Sequence, residues 1–428
     1  MFKTKTENFE QIGNLDGAVY NKVSHGRRLN MKNIIPNRDA RRLFIYLHGL
    51  SDPRDKTRVN GELSKLIESF GFVQIDSIKV LERAHHHILF SRYRSYKRDW
   101  LKVQLEKERT LFENWTHDAS IIPTAFFPYW KLRFDRAYEK LTVSKWWQKR
   151  IGENADATCK RVLDHVAEHG PLRSRDIKFD CNQGRTSNEN WWGWNPTKAA
   201  LVFLWRTGKL AVSGRHNFEK IYDLTTNVIP RQFLEFNPSL EEYTRWQCAS
   251  ALERIGFGSH TEIARYWNGI TPGEAKTWCL ASEGSCVTEI EIEDAEGNFF
   301  KSWAKPDIFD RLGDAPEAPN RIRFLSPFDP MIRDRKRTKR LFGFDFKIEI
   351  FVPDKKREFG YYVCPVLEKD KFIARIELKT DFPRKCLVVE GFWLEADIQL
   401  TKTRKISIEA ELMRWMKFMG LNKVEWRI

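Results

Sequence analysis

The chain has 428 residues and carries 73 Lys and Arg against 58 Asp and Glu, a formal net charge of +15. Apolar residues at 41% and charged residues at 31% describe a soluble globular protein long enough for about three domains, and they exclude a disordered or fibrous chain. The longest apolar run, Ala199 to Trp205, is far too short for a membrane span; the N-terminal stretch has no signal-peptide core; and seven scattered cysteines, with no Cys-x-x-Cys pair, fit reduced thiols in a cytoplasm.

In chain order, residues 1–35 read as an irregular extension. Pro36–Asn37 opens a helix with Asn37 as N-cap; Ala40, Leu43, Phe44 and Leu47 follow at helical spacing, and Gly49 is placed to stop it. A second helix carries Leu63, Leu66, Ile67 and Phe70 and ends at Gly71. The pair heads a first module, 36–150, that looks like a helix-turn-helix unit. Val162, Leu163 and Val166 mark a helix broken by Gly170–Pro171, and Asn195–Pro196 opens the next, with Asn195 as cap. KLAVSG and FEKIYDL then make a hairpin, so 151–235 reads as a winged helix. The order recurs over 236–318. Tyr243 to Leu252 is helical, Ser259/Glu262 and Thr271/Glu274 are capping boxes, and VTEIEIE (287–293) and Phe299–Trp303 form a second wing. Over 319–428 the period changes to that of strands in FKIEIFV, YYVCPVLE, FIARIELK and KCLVVEGFWLEA, with a last helix from Ser407 to Met419. The fold class expected is α+β: tandem winged-helix modules followed by a small C-terminal antiparallel β-barrel.

The positive charge is concentrated. Residues 321–340 hold eight basic side chains against two acidic, and 131–150 hold seven against two. Such density on a polyanion releases condensed counterions, so the composition points to nucleic acid; a solvated surface is the plainer alternative. His165-x-x-Glu168-His169 has the form of a metal motif but supplies neither a third ligand nor an open position. Asp354 followed by Glu377-x-Lys379 has the form of a metal-dependent nuclease, yet Arg375, Glu377 and Lys379 are also the outward positions of an alternating strand. No phosphate-binding glycine loop occurs. There remain Gln74 and Asp76, polar residues two apart in an apolar stretch, followed by His85, His86 and His87. On an extended chain the first two face the same way, where a carboxylate beside an amide can hold a water or sit close to a cationic sugar. A turn with a hydrogen-bonded helix cap is the bland alternative.

The string VQIDSIKVLERAHHHILFSR (73–92) resembles the signature of the YcaQ family of crosslink-repair DNA glycosylases, relatives of AlkZ. So do LFENWTHDASIIP (111–123), WWGWNPTKAALVFLWRTGKLAV (191–212), YDLTTNVIP (222–230) and LSPFDPMIRDRKRTKRLFGFDFKIEIFVPDKKREFGYYVCPVLEKDKF (325–372), in register over roughly residues 36–400. The resemblance implies tandem winged helices and a β-barrel around a DNA-binding channel. It also implies monofunctional hydrolysis of the N-glycosidic bond of N7-alkylated purines, including those in interstrand crosslinks. The family's Gln-x-Asp pair falls on Gln74 and Asp76; AlkZ itself carries a second Gln where this chain has Asp76.

A cationic N7-alkylated purine leaves as a neutral base, so no general acid is needed; the enzyme must stabilise an oxocarbenium-like sugar and deliver a water. Asp76 would supply the charge and take the proton, and Gln74 would orient the water. His85, His86, Trp115 and His117 are expected to support them. Lys198, Arg206, Arg215, His216, Arg335 and Arg337 are expected to contact phosphates. The expected partner is duplex DNA containing alkylated or crosslinked purines, met by a monomer in the cytoplasm at the nucleoid, with no membrane, metal or cofactor. The rival readings are a winged-helix transcriptional regulator and the nuclease.

Overall fold

The computed structural model describes residues 33–53, 59–152, 154–177 and 196–428; the extension up to residue 32 and the Asn195 cap lie outside the described residues. Local signals set most element ends. The helix Asn37–Leu47 closes at His48–Gly49, the helix Leu63–Phe70 closes at Gly71, and Ser259 and Thr271 cap their helices through reciprocal bonds with Glu262 and Glu274. Asn37 differs from expectation. Pro36 occupies the N-cap position, and the Asn37 amide instead donates to Glu293 O (3.2 Å) and Leu341 O (3.0 Å), tying the helix to two remote segments.

Four sheets organise the described residues. One joins Ile34–Ile35, Thr288–Glu293, Phe299–Ala304 and Phe257–Gly258, with Ile34–Ile35 running parallel to its neighbour. The helices Leu240–Ile255, His260–Trp267 and Pro272–Ala281 precede its central hairpin. A second sheet has the order Val73–Gln74, Ala119–Pro123, Leu111–Trp115. A third, Leu172–Arg173, Glu219–Leu224, Leu210–His216, accompanies the helices Ala155–His169 and Pro196–Arg206. In two stretches of the described residues helices precede a hairpin, two in the one around residues 210–224 and three in the one around residues 288–304.

The fourth sheet has five strands: Ile322–Phe324, Val363–Glu368, Lys371–Asp381, Cys386–Leu394 and Lys423–Trp426. All pair antiparallel except the last, which is parallel to Cys386–Leu394. Its two edge strands do not pair with each other among the described residues, so the ladder is open where a closed barrel was expected. FKIEIFV (346–352) is not a strand. The Glu349 carboxylate accepts the N–H groups of Glu358 (2.9 Å), Phe359 (2.9 Å) and Gly360 (3.3 Å), and this side-chain knot replaces a ladder. The last helix, Lys402–Phe418, starts from a Thr401 cap and buries Ile408, Leu412 and Trp415 under the sheet.

One core holds Leu43 and Phe44 with Leu252, Trp267 and Ile292; another unites Leu66, Ile67, Val73 and Ile121 with Phe324, Ile376, Val389 and Trp415. A fully buried ion pair crosses between them. Arg92 donates from both terminal nitrogens to Asp329 (2.7 Å each) and from Nε to His48 O (2.7 Å), and its guanidinium lies over Phe70.

Candidate active site

The Gln-x-Asp segment is placed by the helix before it and the hairpin beside it. Gly71, at φ 86°, stops the helix; a Cβ there would lie 2.6 Å from the Trp267 ring, so only glycine lets the chain turn at this spot. Val73 and Gln74 then pair with Ile121 and Ser120. Strand alternation sends Val73 and Ile75 into the core and leaves Gln74 and Asp76 on the opposite face. Gln74 is nevertheless only 5% exposed, while Asp76 is half-buried.

The turn between Leu111–Trp115 and Ala119–Pro123 brings His117 and Asp118 to this face. His117 Nε2–H donates to Gln74 Oε1 (3.0 Å), and Gln74 Nε2 donates to Asp118 Oδ2 (3.4 Å). Both ends of the amide are thus occupied by protein. Burial, reinforced by Arg333 and Arg133, pulls the His117 pKa down to about 3, so the imidazole is neutral; Thr116 Oγ1 lies 3.2 Å from its Nδ1. Asp76 Oδ1 accepts from Ile78 N (2.7 Å). Its pKa is raised, chiefly by desolvation and further by the Asp118 charge, the bond from Ile78 working the other way. Asp76 thus combines solvent access with a raised proton affinity, on the strand whose Gln74 amide is tied at one end to His117 and at the other to Asp118. Such a group can accept a proton from water or oppose a developing positive charge.

Two supporting residues join this cluster and two do not. Trp115 and His117 are in it, Trp115 with the Arg206 guanidinium 4.2 Å above its ring. His85 and His86 sit behind the motif strand, lining a cavity of about 250 Å³ on the Ile75 side together with Arg83, Arg98, Arg215 and Phe218. The triplet is inward-facing because the helix Ala84–Arg92 is buried on most of its circumference. His86 Nδ1 bonds Tyr96 Oη (2.7 Å), His87 Nε2 bonds Phe324 O (2.9 Å), and burial lowers all three pKa values, to about 4 for His86 and His87.

The phosphate-contact expectations divide the same way. Lys198 and His216 are exposed, and Arg206 is half-buried beside the cluster. Arg215 is not available as a free cation, since it forks onto Glu113 (2.8 and 2.7 Å). Arg337 is a correction: it is 3% exposed and donates to Phe257 O, Ile255 O and Glu262, locking a helix to its neighbours. Arg335 likewise turns inward to Ile332 O and Pro327 O. Much of the basic run 321–340 is structural, with Arg321 and Arg323 also buried. Elsewhere, His165 and His169 stack at 4.1 Å on their helix, Asp354 pairs with Arg357, and Glu377 accepts the N–H groups of Tyr361 and Tyr362.

Sequence reasoning missed Asp118 and Lys220. Lys220 lies on Glu219–Leu224 with its ammonium 3.5 Å over the Trp205 ring. The Asp118 signal was its place beside His117 in a two-strand turn; nothing in the spacing points to Lys220.

A family model described as DNA glycosylase AlkZ-like matches residues 67–418. The solved structure of Streptomyces sahachiroi DNA glycosylase AlkZ is similar, at a TM-score of 0.62 and 15% identity, over 91% of this chain and 98% of that one.

Proposed function

The chain belongs to the AlkZ-like DNA glycosylases, and from that premise we propose that it releases cationic N7-alkylated purines from duplex DNA, including purines held in interstrand crosslinks, by hydrolysis of the N-glycosidic bond. The observation that carries this reading is the half-exposed Asp76 carboxylate, raised in pKa and feeling the charge of Asp118, on the strand whose Gln74 amide is tied to His117 and Asp118. A cationic base departs neutral, so the demand falls on the sugar, where positive charge grows as the bond stretches. Asp76 opposes that charge and takes a proton from the incoming water. Gln74, bonded once at its oxygen by His117 and once from its nitrogen to Asp118, keeps a second lone pair and a second N–H with which to orient that water. A tethered crosslinked base cannot be fully extruded, so the reading requires catalytic groups that reach the duplex, and a carboxylate at the accessible end of a short strand meets that need. We read the helix-helix-hairpin units as winged helices that carry the duplex past this strand.

The test is base release from DNA carrying N7-methylguanine, followed by hot alkali to break the chain at abasic sites. Asp76→Ala should lose roughly two decades in single-turnover rate, on the order of 3 kcal/mol of transition-state stabilisation. Release at the wild-type rate would overturn the assignment.

A further inference from the structure

Among the described residues, two cations beside the candidate active site have no acid of their own. Arg206, at the end of the helix Pro196–Arg206, spreads its guanidinium over Trp115, and its Nε is buried without a hydrogen-bond partner. Lys220 rests over Trp205, whose ring is 1% exposed and pinned by Nε1 to Glu113 O (3.0 Å). The two indoles meet edge to face at 6.2 Å, so they form one apolar floor under both cations. Among the described residues neither cation forms an ion pair. The acids whose charges reach them are Asp118, which acts on both, and Glu113, which acts on Lys220 and is taken on both oxygens by Arg215. A cation kept on an aromatic face at low dielectric gains strongly when an oxyanion arrives, because that attraction is poorly screened.

We propose that Arg206 and Lys220 form a two-point clamp for a DNA phosphodiester next to the target nucleotide. The inference rests on the glycosylase reading and adds to it where the backbone is held. Asp118, which bonds Gln74, lies within electrostatic reach of both cations, so a phosphate seated there would sit alongside the sugar that Asp76 must face. The guanidinium supplies a planar set of donors including an unused Nε, and the ammonium a point charge with three donors.

The clamp has a pH signature. Burial above all lowers the Lys220 pKa to about 7; Arg215 and Arg206 push it the same way, and Glu113 and Asp118 oppose them. Tyr222, on the same strand, has its pKa raised and stays protonated, and His117 is neutral throughout the range. Seating a phosphate must therefore draw a proton onto Lys220, and affinity must weaken as pH rises through neutrality.

The experiment is binding of duplex DNA containing a tetrahydrofuran abasic-site analogue, which is not a substrate, by fluorescence anisotropy across salt and pH. Arg206→Gln and Lys220→Gln should each flatten the slope of log affinity against log salt by about 0.9, the release of one counterion. Lys220→Arg, which keeps its charge, should hold wild-type affinity at neutral pH and lose the weakening at alkaline pH. A wild-type slope in Lys220→Gln, or the same pH profile in wild type and Lys220→Arg, overturns the clamp. Inorganic phosphate at matched ionic strength separates the sources: competition lost in Lys220→Gln supports an oxyanion site that the backbone fills. Phosphate binding with unchanged DNA slopes in both variants removes the backbone assignment. Because no base is released in this assay, its failure leaves the Asp76 test standing, and the reverse also holds.

Discussion

Asp76 carries a charge that its surroundings make costly. Its raised pKa means that the native protein holds this proton more tightly than the unfolded chain, so the group's contribution to stability is full below the unfolded value near 3.8 and lost as pH rises through the folded one. Asp76→Asn keeps an oxygen for Ile78 N and removes the charge. It should raise the melting temperature at neutral pH, leave it unchanged in strong acid, and lower base release throughout; calorimetry at the two pH values checks the sign. The second carboxylate has a separate signature. Desolvation accounts for most of the Asp76 shift and Asp118 adds to it, so Asp118→Asn should lower the Asp76 pKa and move the acid limb of the single-turnover rate profile to lower pH. A profile that stays in place would show that the two carboxylates do not communicate.

At the scale of elements, the buried Arg92–Asp329 pair fixes how the helix Ala84–Arg92 meets the rest of the molecule. Asp329→Ala would strand a guanidinium that has no water to turn to, and about 3–5 kcal/mol of stability should be lost, read as a lower urea midpoint. Asp345→Ala, breaking an exposed pair with Lys339, should fall within about 0.5 kcal/mol of wild type. The contrast bears on what could be read from the chain alone. The helix stops at Gly49 and Gly71, two capping boxes and the hairpin at 288–304 were legible because their causes lie within a few residues. The Thr401 cap, which starts the last helix at Lys402 and not at the expected Ser407, was missed. FKIEIFV was misread because alternation does not say whether a neighbouring strand exists to pair with, and here Glu349 satisfies the backbone instead. Arg335 and Arg337 were misread because a count of charges carries no direction, and these side chains point inward to carbonyl oxygens.

Over the whole molecule, the same limit governs the site. Gln74 and Asp76 could be singled out because a polar pair in an apolar strand is a local anomaly. Asp118 could be joined to them only once pairing across Ser120 was known, and Lys220 only once a hairpin a hundred residues further on was laid against Trp205. The core beneath the motif strand is likewise non-local, built from residues near 63–121 and near 322–421. As the polypeptide emerges from the ribosome, the stretch bearing Gln74 and Asp76 must wait until residues 322–421 have been made before its apolar side is covered, while the segments around residues 141–222 already have what they need to collapse. The motif strand therefore gains the packing beneath it late, and a chain released before residue 322 would leave Val73 and Ile75 without the strands and helix that cover them.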